Sequence, residues 1–79
     1  MQQLESLLYF LARSLVDEPE KVEVSSRETD SRVDLILRVA QGDMGKVIGR
    51  RGKIVKAIRT VMKAASVKEN KRINVEVSD

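Results

Sequence analysis

VIGRRGKIVKAI, residues 47–58, is the stretch on which the reading of this chain turns. An aliphatic pair runs into two glycines that frame two adjacent arginines, and a helical pattern restarts at Lys53. Glycine permits backbone angles that a Cβ forbids, and it lets a ligand approach the main chain closely. A helix starting at Lys53 points its unpaired N–H groups and the positive end of its dipole at the same spot. Arg50 and Arg51 on an exposed tip repel each other unless an anion stands between them. The pattern therefore predicts helix, G-x-x-G link and helix, with phosphate as the natural occupant of the link.

Working outward, the helical period continues from Lys53 to about Ser66, with Ile54, Ile58, Val61 and Ala65 on one face and Ala57 and Met62 beside it. On that reading Val55 is the aliphatic residue of the helix least suited to burial. A polar link over 67–72 leads to a last alternating strand, INVEV, at 73–77. Upstream, Gly42-Asp43 breaks a strand, and Asp43 is placed to cap a short helix over 44–48. Residues 21–27 and 32–39 alternate apolar and polar around the turn cluster Glu28-Thr29-Asp30-Ser31, which reads as an antiparallel hairpin with one wet face. Residues 2–16 place Leu4, Leu8, Leu11 and Leu15 on one helical face, and Glu18-Pro19 ends that helix. The expectation is an α+β fold in the order α-β-β-α-α-β, one domain over residues 1–79, with three strands in one mixed sheet and three helices on one of its faces.

Composition narrows the function. The chain has no Cys and no His, which removes disulfides, thiolate nucleophiles and the commonest metal ligands, and no metal or other cofactor is expected. At 79 residues the core is small and leaves no room for a deep cleft. Enzyme chemistry, with its need for a perturbed carboxylate or His in a cleft, is not expected, nor is a small-molecule substrate. Met1 to Leu15 lacks the basic leader of a signal peptide, and no apolar run approaches the length of a membrane span, so the expected setting is soluble and cytoplasmic. The formal net charge of +3 is unevenly spread: residues 46–72 hold ten basic groups against Glu69 alone, while residues 1–45 carry a net −4. Such a local excess draws polyanions.

The nucleotide-pocket patterns fail on spacing. Gly42 and Gly45 are three apart, Lys46 is followed by Val47 where a magnesium-binding hydroxyl would be needed, and G-x-G-x-x-G is absent. What the link does have is an aliphatic strip beside the charge, formed by Val47, Ile48, Ile54, Val55 and Ile58, suited to packing the core and to holding unstacked bases.

Residues 47–58 resemble the signature of the KH domain, V-I-G-x-x-G-x-x-I-x-x-I, at Val47, Ile48, Gly49, Gly52 and Ile58, with Val55 in place of the first isoleucine. The element order resembles the bacterial type II arrangement, and the whole chain is similar to the small stand-alone bacterial KH proteins of the KhpA family. The resemblance implies single-stranded RNA as ligand, about four nucleotides clamped between the link and the neighbouring strand. Gly49 and Gly52 would meet phosphate through the main chain, and Arg50 and Arg51 would supply charge. Ile48, Val55 and Ile58 would border the groove, and Lys46, Lys53 and Lys56 would add rim contacts. Arg38 on the second strand is a further candidate, with pairing to Asp34 or another acid as the alternative. The resemblance also implies a homodimer, or a heterodimer with a larger KH-domain protein, and RNA-chaperone activity that affects cell shape. Two other readings stay open on the residues: a protein-interaction or dimerisation module using Val55 and Met62, and a helix placed in the major groove of DNA.

Overall fold

The computed structural model describes residues 2–79. Helix α1 spans Gln2–Leu15, strand β1 Glu23–Glu28, strand β2 Arg32–Arg38, helix α2 Met44–Ile48, helix α3 Lys53–Ala65 and strand β3 Arg72–Ser78. The order is the expected one, and the sheet is mixed, ordered β1-β2-β3, with β2 antiparallel to β1 and parallel to β3. The parallel pair is what the two helices between β2 and β3 make possible, since parallel neighbours need a long crossover.

Register follows the apolar alternation. Val33, Leu35 and Leu37 of β2 are fully buried and stand opposite Glu28, Ser26 and Val24 of β1 and Ile73, Val75 and Val77 of β3. Slipping either pairing by one residue would turn this row to the open face. The helices cover the row with Leu4, Leu8 and Ala12 from α1, Val47 from α2, and Ile58 and Met62 from α3. Each buried Leu, Val, Ile or Met stabilises by about 1.5–3 kcal/mol relative to exposure, so a small set of residues supplies most of the drive to fold.

The inward face of α3 is rotated from the expected one. Val55 and Met62 are buried, at 7% and 0% exposure, whereas Val61 is 43% exposed and Ala65 is also exposed. Apolar residues at 54, 55, 57, 58, 61, 62, 64 and 65 cover about half of the helical wheel, and periodicity cannot say which part meets the sheet. The same holds more mildly on α1, where Ala12 takes a fully buried place and Leu15 lies outside at 37% exposure.

Boundaries move by a few residues. Pro19–Lys21 form a 3-10 turn, with Lys21 N–H donating to Glu18 O at 3.0 Å and Val22 N–H to Pro19 O at 3.1 Å, so β1 starts two residues later than the alternation implied. Another such turn, Val67–Glu69, occupies the expected polar link. Asp43 does stand at the start of α2, but it makes no side-chain cap bond there. Its carboxylate, 3% exposed, instead accepts the main-chain N–H groups of Asp17 at 3.2 Å and Glu18 at 3.0 Å. The acid thus ties the exit of α1 to the entry of α2. Among the described residues no helix is long and apolar enough to cross a membrane.

Candidate nucleic-acid interface

The link is a tight reversal. The Gly49 N–H closes the last turn of α2 on Gly45 O at 2.9 Å, and Gly49 then adopts φ 75°, ψ 174°, a region open in practice only to glycine. Arg51 follows in the left-handed region at φ 56°, ψ 25°, and Gly52 at φ 74°, ψ 17°. Gly52 N–H donates to Gly49 O at 3.1 Å and Lys53 N–H to Arg50 O, which fixes the bend before α3 begins. A Cβ on Gly49 would lie 2.6 Å from Ile54 Cγ1, whereas one on Gly52 would meet only Val55 Cγ1 at 3.8 Å. Ile54 therefore occupies the space that the missing Gly49 side chain leaves, and the two ends of the link are held together.

Arg50 and Arg51 are exposed, as are Lys53 and Lys56, and among the described residues none of the four has a carboxylate within 4.0 Å. The start of α3 thus presents its dipole and four unneutralised cations on one side of the molecule. Lys46 is different. Its Nζ lies 3.1 Å from Asp17 Oδ2 and 4.0 Å from Asp43 Oδ1, and the hydrogen bond to Asp17 raises its pKa above the ordinary lysine range. Lys46 therefore joins the α1–α2 tie, and a phosphate would have to compete with two acids for it.

The aliphatic strip divides in two. Val47, Val55 and Ile58 are buried in the core, so Val55, expected to be the least buried, packs inward. Only Ile48 and Ile54 are half-buried and present surface beside the link. Arg38 lies on the open face of the sheet, opposite the helices, with its Nη2 3.5 Å from Asp79 O. The structure does not bring it to the link, and its alternative partner Asp34 is taken by Arg32 Nε at 2.8 Å. That contact holds the Asp34 carboxyl below its usual range.

One residue that the sequence did not single out belongs to this region. Arg59 reaches from α3 to the edge strand β3, donating from Nε at 3.3 Å and Nη2 at 3.1 Å to Val75 O. It bridges helix and strand near the middle of both elements. Its only trace in the sequence is its place in a basic row, Lys56, Arg59 and Lys63, at spacings of three and four.

A glycine-framed link between two helices, packed on an α-β-β-α-α-β sheet, defines a KH domain. The chain belongs to the KhpA/KhpB KH-domain family, whose model matches residues 5–77. It is 55% identical over 74 residues to an RNA-binding protein KhpA of Clostridium acetobutylicum, covering 94% of this chain and 99% of that one. An RNA-binding protein KhpA of Bacillus subtilis is 42% identical over 78 residues, covering 99% of this chain and 96% of that one.

Proposed function

We propose that this protein binds single-stranded RNA at the G-x-x-G link, with the sugar-phosphate chain against Gly49–Gly52 and the start of α3. The observation that carries the reading is the pairing of two positive-φ glycines with exposed, unneutralised Arg50 and Arg51 at a helix N-terminus. Lys53 and Lys56 add rim charge, Ile48 and Ile54 offer aliphatic contact to bases, and Val55 and Ile58 support the strip from beneath. Lys46 contributes by holding α2 in place and, when an RNA displaces its acids, by charge. Arg38 is left out, because it faces away. The names of the relatives support RNA as the polyanion.

Sequence preference is low on this reading. The aromatic residues, Tyr9 and Phe10, both sit on α1, so no stacking platform stands beside the link and base contacts are aliphatic or polar. A weak, non-selective strand binder fits the work of a cytoplasmic RNA chaperone, alone, as a dimer or beside a larger KH-domain partner. The test is the double substitution Arg50→Asp and Arg51→Asp. Both side chains are exposed, so circular dichroism and the thermal midpoint stay as in the unaltered protein while anisotropy titration of a labelled oligoribonucleotide loses its signal change. An unchanged titration would overturn the assignment.

A second reading, association between copies, is favoured by one observation: Phe10 and Val61 remain 66% and 43% exposed on the outer sides of α1 and α3. It coexists with RNA binding.

A further inference from the structure

The positive charge of residues 46–72 is not exhausted at the link. At the far end of α3, about 18 Å from Lys53 at 1.5 Å per residue, a cleft of about 510 Å³ opens between that helix end and the start of β3. Lys63, Ser66, Asn70, Lys71 and Arg72 line it together with the apolar Val67 and Ile73, and Arg72 also lines a neighbouring hollow of about 360 Å³ with Ser31 and Arg32. Two of these cations are already matched, Lys71 by Glu28 and Arg32 by Asp34. Lys63 and Arg72 are not: among the described residues no carboxylate lies within 4.0 Å of either. Two cations without a carboxylate partner thus border one cleft, Lys63 from the end of α3 and Arg72 from the start of β3. Other features of the cleft leave them available. The Ser66 hydroxyl is turned inward to Lys63 O at 2.9 Å, and Arg72 is anchored by its main-chain N–H to Ser31 O at 3.0 Å, so its guanidinium is not needed to hold the strand.

A path joins this cleft to the link. Lys56, Arg59 and Lys63 fall within about 60° of one another on the helical wheel, and Arg59 shows that this flank of α3 looks towards β3. A strand leaving the link along the helix therefore passes basic groups the whole way. We infer that the cleft is a second phosphate site for the same RNA strand, engaging nucleotides beyond the roughly four that a G-x-x-G link clamps. This rests on the RNA reading above.

The experiment compares oligouridylates of four and twelve nucleotides, binding to the full chain by fluorescence anisotropy over a range of salt. Lys63→Gln with Arg72→Gln is expected to leave the four-mer unaffected. The same pair weakens the twelve-mer on the order of tenfold at 0.1 M salt and lowers its salt slope by about 1.4, at about 0.7 per lost phosphate contact. The charge-retaining pair Lys63→Arg with Arg72→Lys keeps both quantities near those of the unaltered chain. An unchanged twelve-mer affinity and slope in the Gln pair overturns the proposal, and so does equal weakening of both oligomers, which would place the effect at the link or in the fold. If the unaltered chain binds neither oligomer, or Arg50→Asp with Arg51→Asp changes neither, the RNA reading itself falls and the cleft assignment with it.

Discussion

Gly49 and Gly52 carry equal weight in the sequence, because both frame the arginines and both are explained by the same freedom of backbone. Their surroundings separate them. Gly49 sits at φ 75°, ψ 174°, and its absent Cβ would overlap Ile54, while Gly52 sits in the ordinary left-handed region with open space around it. Backbone strain of about 1–3 kcal/mol in that sparsely populated region adds to a comparable cost for displacing a packed side chain. Gly49→Ala is therefore expected to destabilise by about 3 kcal/mol or more, and Gly52→Ala by about 1–2 kcal/mol from its left-handed φ alone. For a domain of this size each 1 kcal/mol moves the thermal midpoint by about 4–8 °C, so calorimetry resolves the difference readily. Equal losses, or a larger loss at Gly52, would mean that Ile54 does not fill the space described. Asp43 is the complementary case. It is a helix-capping residue type at a helix start, yet its oxygens serve two amides more than twenty residues upstream, a partnership that no local pattern encodes.

Element order was legible because β2 and β3 alternate apolar and polar residues between clear breaks, whereas β1 buries none of its residues and its start was less sharply marked. β2 alternates without interruption, and its three buried positions leave a single register open. α3 carried an ambiguous signal. Eight apolar residues spread over half its circumference fit more than one inward face, and the choice between Ile54–Val61 and Val55–Met62 is made by the sheet and α1. The consequence reaches function, since Val55 and Met62 were the expected docking residues and both are interior. The exposed flank instead carries Val61, beside the exposed Ala57 and Ala64. If copies of the chain associate through this flank, Val61→Asp weakens association with the fold intact, because substitutions at exposed positions usually change stability by no more than about 0.5 kcal/mol. Sedimentation velocity over a hundredfold concentration range reads it out. A protein that is monomeric throughout removes the dimer reading, and a dimer unaffected by Val61→Asp moves the interface to another face.

At the scale of the whole molecule the charges sort into matched and unmatched sets, and this division was invisible in a count of basic residues. Lys21, Arg32, Lys46 and Lys71 have acids beside them, whereas among the described residues the other eleven basic side chains do not, and six of those, Arg50, Arg51, Lys53, Lys56, Lys63 and Arg72, lie at the link, along α3 or at the start of β3. The matched set makes stability pH-dependent in a defined way. Lys71 holds the Glu28 carboxyl below its usual range, chiefly by hydrogen bonding, and Arg32 does the same for Asp34. Groups lowered in the folded state stabilise it above their ordinary pKa, and they lose that contribution as pH falls through the lowered one. Lys46 runs the other way. Raised chiefly by Asp17, it stabilises fully below the ordinary lysine range and loses its contribution as pH climbs through the raised value. All of these pairs are exposed enough for solvent to weaken them, so both ramps are shallow. With no His or Cys, the chain lacks the side-chain types that ordinarily change charge near neutral pH. The thermal midpoint followed by circular dichroism is therefore flat between about pH 6 and 9, declining on the acid side as Glu28 and Asp34 protonate and on the far basic side as Lys46 deprotonates. RNA affinity, which depends on the unmatched set, is flat over the same window and yields to salt instead. A step in either quantity near neutral pH, beyond what the α-amino group gives at its ordinary pKa of about 8, would require a strongly perturbed side chain, and the partition of charges drawn from the ion pairs would then be wrong.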